Sequence, residues 1–360
     1  MWKWLPNRPF FRTLRSFPLW LGMAVGCASE PLEVVDPEWP TRAQLVAQIA
    51  SPDRNPLTSQ GVALGRALFF DPLLSGNNKV ACATCHDPKR AFSDGEVLTD
   101  KGVAGTAVLR HSPVLMHLAW MDGYFWDGGG SDLESQAFAP LVDAREMDQD
   151  LDELVEELAS HPSYPAMFEA AFGDGLTLAN VVRALAQFER TLISVDAPLD
   201  AYLRGERDVL SEAAKRGFDV YGVHCGTCHA GVFFTDFSYR NNGLDSEFSE
   251  DNLKLAWGRG RITLDPDDIG KYKVPSLRNV MVTAPYMHDG RFPSIQHVLD
   301  HYRYGVKGFA TLDPALKKPD GSLGLDLTDG EAEDLLVFLE ALTDPAFLND
   351  PSYSQSGGQR

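Results

Sequence analysis

Two short stretches carry the chemistry. "KVACATCHDPKR" places Cys82, Cys85 and His86 in the order C-x-x-C-H, and "VHCGTCHAG" repeats the order with Cys225, Cys228 and His229. Three kinds of site could use these residues. A zinc ion could take all four thiolates, but this leaves the histidine after each pair unexplained. Histidine is only 9 of 360 residues, so chance is a poor account of finding it twice in that slot. A redox dithiol would want a βαβ setting, which the sequence does not offer. Covalent haem c accounts for every position. Two thiols separated by two residues on a turn that opens a helix reach the vinyl groups along one porphyrin edge, and the next side chain points under the ring to meet the iron. The sequence therefore predicts two haem c groups, bonded through Cys82, Cys85, Cys225 and Cys228, with His86 and His229 as iron ligands.

The amino terminus agrees with this chemistry, which belongs to export compartments. Residues 1–16 hold Lys3, Arg8, Arg12 and Arg15 with no acid, and "FPLWLGMAVG" follows as a short apolar run. That pattern is an export signal over residues 1–26, too short for a stable membrane span. It ends in "AVGC", which resembles a bacterial lipoprotein signal with Cys27 as the lipid-bearing residue, although Ala24 stands where leucine is more usual. Plain signal cleavage and a retained membrane anchor are the rival readings. Residues 27–45 read as an acidic, proline-bearing tether. The expected location is the periplasm, lipid-anchored to a bacterial membrane and touching it only through that lipid. Formal net charge is −19, and removing the four signal cations leaves about −23. An acidic surface argues against nucleic acid and anionic lipid headgroups as partners and suits a cationic protein, although excess surface acid more commonly serves solubility alone.

The elements that must position the motifs are helical. "LTLANVVRALAQFERTLIS" puts Val181, Leu185, Phe188 and Leu192 on one face, and "DGEAEDLLVFLEAL" does so with Leu335, Phe338, Leu339 and Leu342. "QDLDELVEELASH" is a third helix, strand-like alternation is scarce, and no short-period repeat stands out. The Gly/Pro-rich stretches between helices look like loops wrapped around something. The expected fold is mainly α, with two cytochrome-c-like domains at 46–203 and 204–345, each wrapped around one haem, and a frayed polar tail at 346–360.

Several blocks in order resemble the bacterial di-haem cytochrome c peroxidases and their relative MauG, which matures methylamine dehydrogenase. They are "ALGRALFFDPLLSGNNKVACATCHDPKRAFSDG", "YFWDGGGSDLESQA", "QFERTLIS", "VPSLRNVMVTAPYMHDGRFPSIQHVLDHY" and "LTDGEAEDLLVFLEALTD". The resemblance runs from about residue 55 to 343. It implies that the first haem meets peroxide and the second transfers electrons. It places the proton-moving glutamate at Glu134, counted from "FWDG", and puts Tyr124 where the family often has glutamine. No histidine lies between His86 and His111, so the first iron is expected to keep an open or water-filled sixth site. Fourteen residues after His288 the family's second-haem ligand falls on Tyr302, methionine in the peroxidases and tyrosine in MauG. A hard, anionic phenolate favours ferric iron, whereas a thioether favours ferrous. His301, His297, Met287 and Tyr304 are the alternatives, of which the methionine has little claim, as has Met281, because both lie in segments where the family does not place its ligand. The resemblance also implies a calcium ion between the haems, with Thr283 and Pro285 among its ligands, and an inter-haem tryptophan for which Trp120, Trp126 and Trp257 are candidates.

The function implied is a cytochrome-c-peroxidase-type oxidoreductase that reduces hydrogen peroxide with electrons from a small cytochrome c or cupredoxin. The alternative is MauG-like oxidation of a protein or other substrate through a high-valent state shared by two haems. A non-catalytic di-haem electron carrier is the rival of another class. A homodimer is compatible with all three.

Overall fold

In a computed structural model of the chain, residues 39–249 and 255–354 are described; the export signal and Cys27 lie outside them. The architecture is two helix pairs joined by long loops. Helix Ser59–Phe69 packs on Leu178–Arg190, and helix Glu212–His224 packs on Asp329–Glu340. The sequence dictates each pair in the same way. Threonine or serine caps start all four helices: Thr58, Thr177, Ser211 and Thr328 each accept a backbone N–H of the first turn. A glycine then lets the partners close. A Cβ on Gly65 would lie 1.9 Å from the Ala184 carbonyl oxygen, and one on Gly217 would lie 2.0 Å from that of Asp334.

Leu64, Leu68, Phe69, Val181, Leu185 and Phe188 fill the first core; Tyr221, Phe234, Leu335, Phe338 and Leu339 fill the second. Each such side chain contributes about 1.5–3 kcal/mol on burial.

The correspondence extends to the loops. Pro113, Leu115, His117, Tyr124, Asp127 and Gly128 recur as Pro275, Leu277, Asn279, Tyr286, Asp289 and Gly290, 162 residues on. His117 and Asn279 both take left-handed backbone at the start of a 3-10 turn. The His117 N–H donates to the Leu192 carbonyl (2.9 Å), and the Asn279 N–H to that of Leu342 (3.0 Å). The Tyr124 hydroxyl donates to Leu118 O and the Tyr286 hydroxyl to Val280 O. The chain is thus a structural duplication with unequal loop lengths.

Polar contacts weld the halves. Ser194 Oγ donates to Asp344 Oδ2 and accepts from Asn279 Nδ2, both at 2.9 Å. Asp200, from the helix Pro198–Leu203, meets Arg278 through two bonds of 2.7 and 2.8 Å, both side chains fully buried. Leu199 and Leu203 of that helix belong to the second core.

Both ends differ from expectation. Trp39 is buried and donates to Asp200 Oδ1 at 2.7 Å, and Thr41 caps a short helix, Arg42–Val46. The stretch expected as a frayed polar tail is packed through Ser354. Phe347 and Tyr353 insert into the first core beside Phe92, and Asp350 pairs with Arg42 at 2.7 Å. Two apolar anchors in a polar segment are enough to hold it.

Candidate active site

Each C-x-x-C-H motif sits on a helical turn with its histidine just beyond. His86 N donates to Cys82 O and His229 N to Cys225 O, the same bond in both halves. His86 Nδ1 lies 2.7 Å from Phe92 O, and His229 Nδ1 lies 3.0 Å from Pro275 O. A carbonyl only accepts, so Nδ1 carries the proton and Nε2 keeps its lone pair for a metal. Burial lowers both imidazole pKa values and keeps them neutral. The four thiols are free and half-buried, and burial raises their pKa values. Among the described residues no three His, Cys, Asp or Glu side chains gather around one point, which argues against the four-thiolate zinc reading. The residues fit two haem c groups: paired thiols and a neutral imidazole beside each pair, with apolar-lined room at the second motif.

That room has identifiable walls. One cavity is lined by Cys225, Cys228, His229, Met287, His288 and Tyr302 and reaches across the cleft to Trp126. Tyr302 lies in a π-turn, His301–Gly305, that ends helix Ile295–Asp300; such turns are frequent at functional sites. Burial pushes its phenol up to about 12, with a hydrogen bond to Asn242 working the other way. The alternatives separate by placement. Tyr304 is 73% exposed, His297 Nδ1 pairs with Ser294 Oγ, and His301 Nε2 is taken by Asn242 O. Met287 does line the cavity, its sulfur accepting from Asn242 Nδ2 at 3.5 Å. Thr283 and Pro285 are buried in the same wall.

The first motif is surrounded by acids. Glu146 and Glu189 both act on Cys82, and Glu146 and Asp94 on Cys85. Burial, then Asp143, pushes Glu146 up to about 7. Glu134 has a different setting. It is buried in the first turn of helix Leu133–Val142, whose N-cap is Asp132. It accepts from Arg190 Nη2 (2.9 Å) and Asn55 Nδ2 (2.6 Å). Burial opposes its charge, but these two bonds prevail and hold the carboxyl below its usual range. Tyr124 is buried close to this pair, and its hydroxyl is committed to Leu118 O at 3.1 Å. Tyr286 makes the same bond in the other half, so the contact belongs to the repeated framework.

Between the motifs, Trp126 joins the halves. Its Nε1 donates to His111 O (2.8 Å), its carbonyl accepts from Lys273 N (2.9 Å), and His111 N donates to His288 O (2.9 Å). Trp120 instead packs on Phe233, and Trp257 lies in the turn Leu255–Trp257. His111 Nδ1 is 2.8 Å from Glu96 O. Glu146, which counting along the chain from "FWDG" does not single out, acts electrostatically on both cysteines of the first motif.

Comparison with known proteins agrees with this geometry. Residues 59–208 match the family described as di-haem cytochrome c peroxidase. The methylamine utilization protein MauG of Methylorubrum extorquens is 37% identical over 310 residues, 84% of each chain. Cytochrome-c peroxidase IdrP1 of a Pseudomonas species (strain SCT) is 32% identical over 84% of this chain and 86% of its own. The crystal structure of a MauG-like protein associated with microbial copper homeostasis superposes with a TM-score of 0.75 at 32% identity, covering 92% of this chain and 99% of that one. The chain belongs to the di-haem cytochrome c peroxidase family.

Proposed function

We propose that the protein is a periplasmic di-haem c peroxidase that reduces hydrogen peroxide with electrons from a small redox protein. The observation that carries this reading is the repeated site: paired thiols followed by a histidine whose Nδ1 is held by a carbonyl, with acids acting on the first pair and a buried phenol in the cavity of the second. Haem c, when bound, supplies an iron at each site that activates peroxide or exchanges electrons. His86 and His229 orient toward it through Nε2, each ring fixed by its carbonyl partner. Peroxide cleavage needs a proton lifted from one oxygen and set on the other. Glu146 suits that task because its raised pKa lets the carboxyl take and return a proton near neutral pH. Glu134, which the resemblance puts in this role, is held by Arg190 and Asn55 in the ionised form that can accept the proton, and it is the second candidate. Trp126, which bridges the halves and lines the cavity, is the aromatic group best placed between the two sites. Thr283 and Pro285 would offer main-chain oxygen to calcium, a donor type that suits this ion.

Tyr302 favours a second reading. As a phenolate ligand it would make the second site a holder of oxidising equivalents, and the electrons would then come from an oxidisable protein substrate, as in MauG. The test is turnover with peroxide and reduced cytochrome c. Steady turnover supports the peroxidase; slow cytochrome oxidation with a long-lived oxidised state after peroxide supports the second reading. Inertness toward both leaves an electron carrier.

A further inference from the structure

We infer that Glu189 is a redox-linked proton store for the site at Cys82–His86, regaining a proton on its carboxyl as that site gains an electron. This rests on the haem reading of the first motif. Glu189 is the penultimate residue of helix Leu178–Arg190 and is 6% exposed. Its Oε2 is buried and meets no hydrogen-bond donor. The groups that face it are Arg190 on its own helix, Glu134 from the helix Leu133–Val142, Tyr124 from the cleft loop and Cys82 from the motif. Arg190 is the one cation among them, and its Nη2 is spent on Glu134 Oε2 at 2.9 Å. Its Nη1 is buried and likewise meets no hydrogen-bond partner, so Arg190 offsets an ionised Glu189 by charge but not by a bond, and burial leaves the neutral carboxyl favoured.

Burial pushes its pKa up to about 8, Arg190 opposing and Glu134 adding to the rise. An electron added beside Cys82 raises it further, because a like charge disfavours the ionised form. In the pH range where Glu189 titrates, one proton binds Oε2 for each electron gained. Peroxide reduction consumes two electrons and two protons for two waters. The redox-protein donor supplies the electrons; Glu146 only moves the peroxide's own proton from one oxygen to the other, and of the two protons consumed Glu189 holds one within the protein while solvent supplies the second.

The test is a spectroscopic redox titration of the haem-loaded protein from neutral to alkaline pH, comparing wild type, Glu189→Gln and Glu189→Asp. The first haem of the wild type should show a potential that falls with pH at one proton per electron over part of that range. Glu189→Gln should flatten the slope, and Glu189→Asp should keep it, displaced in pH. Infrared difference spectra should show a protonated carboxyl band in the wild type, shifted by deuteration and missing from Glu189→Gln. An unchanged slope in Glu189→Gln overturns the proposal. Should that variant not fold, lack of the carboxyl band in the wild type overturns it alone. Two bound haems with a pH-independent first potential would sink the proton store and spare the peroxidase reading; loss of haem at the first motif would sink the reading itself.

Discussion

The two halves of this molecule share one framework and differ in what they place beside their cysteines. Both have a capped helix pair closed over a glycine, a left-handed residue tied to the end of a helix, and a tyrosine bound to its own loop. Around the first motif the fold brings carboxyls, Glu146, Glu189 and Asp94. Around the second it brings a phenol and a thioether, Tyr302 and Met287, with Arg240 acting on Cys228 and neutralised by Asp236 and Asp313. On a duplicated scaffold the two motifs carry different neighbours, and the proposed division between proton chemistry and electron chemistry rests on those differences rather than on the shared frame.

The largest expected effect comes from deleting thiols. Cys82→Ala/Cys85→Ala and Cys225→Ala/Cys228→Ala should each halve the covalent haem content, read by haemochrome absorbance, and the first should abolish peroxide turnover. Full haem content in either variant would contradict the assignment.

Next, the two glutamates should part company. Glu146→Gln should lower kcat by about 10²–10⁴ with haem content retained. If the carboxylate form lifts the first proton, the wild-type rate rises with pH through about 7, and this limb disappears in the variant. Glu134→Gln strands the Arg190 charge and should cost about 3–5 kcal/mol of stability, read by denaturant titration, with a far smaller change in kcat per folded molecule. The reverse pattern would return the proton role to Glu134.

Tyr302→Met tests the other half. A soft thioether in place of a phenolate should raise the second haem's midpoint potential and speed cytochrome oxidation. An unmoved potential would show that Tyr302 is not a ligand and would turn attention to Met287.

The smallest effect probes the shared frame. Gly65→Ala and Gly217→Ala each drive a Cβ against a backbone carbonyl and should destabilise by similar amounts, about 1–3 kcal/mol each. A large inequality would break the equivalence of the two helix pairs.

These contrasts also mark what the sequence could say. Helices Leu178–Arg190 and Asp329–Glu340 were legible because their apolar residues recur at helical spacing, and the motifs because their residue order is specific. The twofold plan was legible in the repeated motif, but the residue-by-residue correspondence was not, because its period drifts: 143 residues between Cys82 and Cys225, 152 between Gly65 and Gly217, 162 between Tyr124 and Tyr286. Glu146 and Glu189 were hidden for another reason. Burial raises their pKa values, and their charge reaches Cys82 from segments far apart in the chain. Phe347 and Tyr353 were masked by polar neighbours.

The most direct test of the division is electron paramagnetic resonance of the ferric protein with and without cyanide. The account predicts one high-spin and one low-spin haem, with cyanide converting only the high-spin signal and Tyr302→Phe altering only the low-spin one. Two low-spin signals, both indifferent to cyanide, would contradict it.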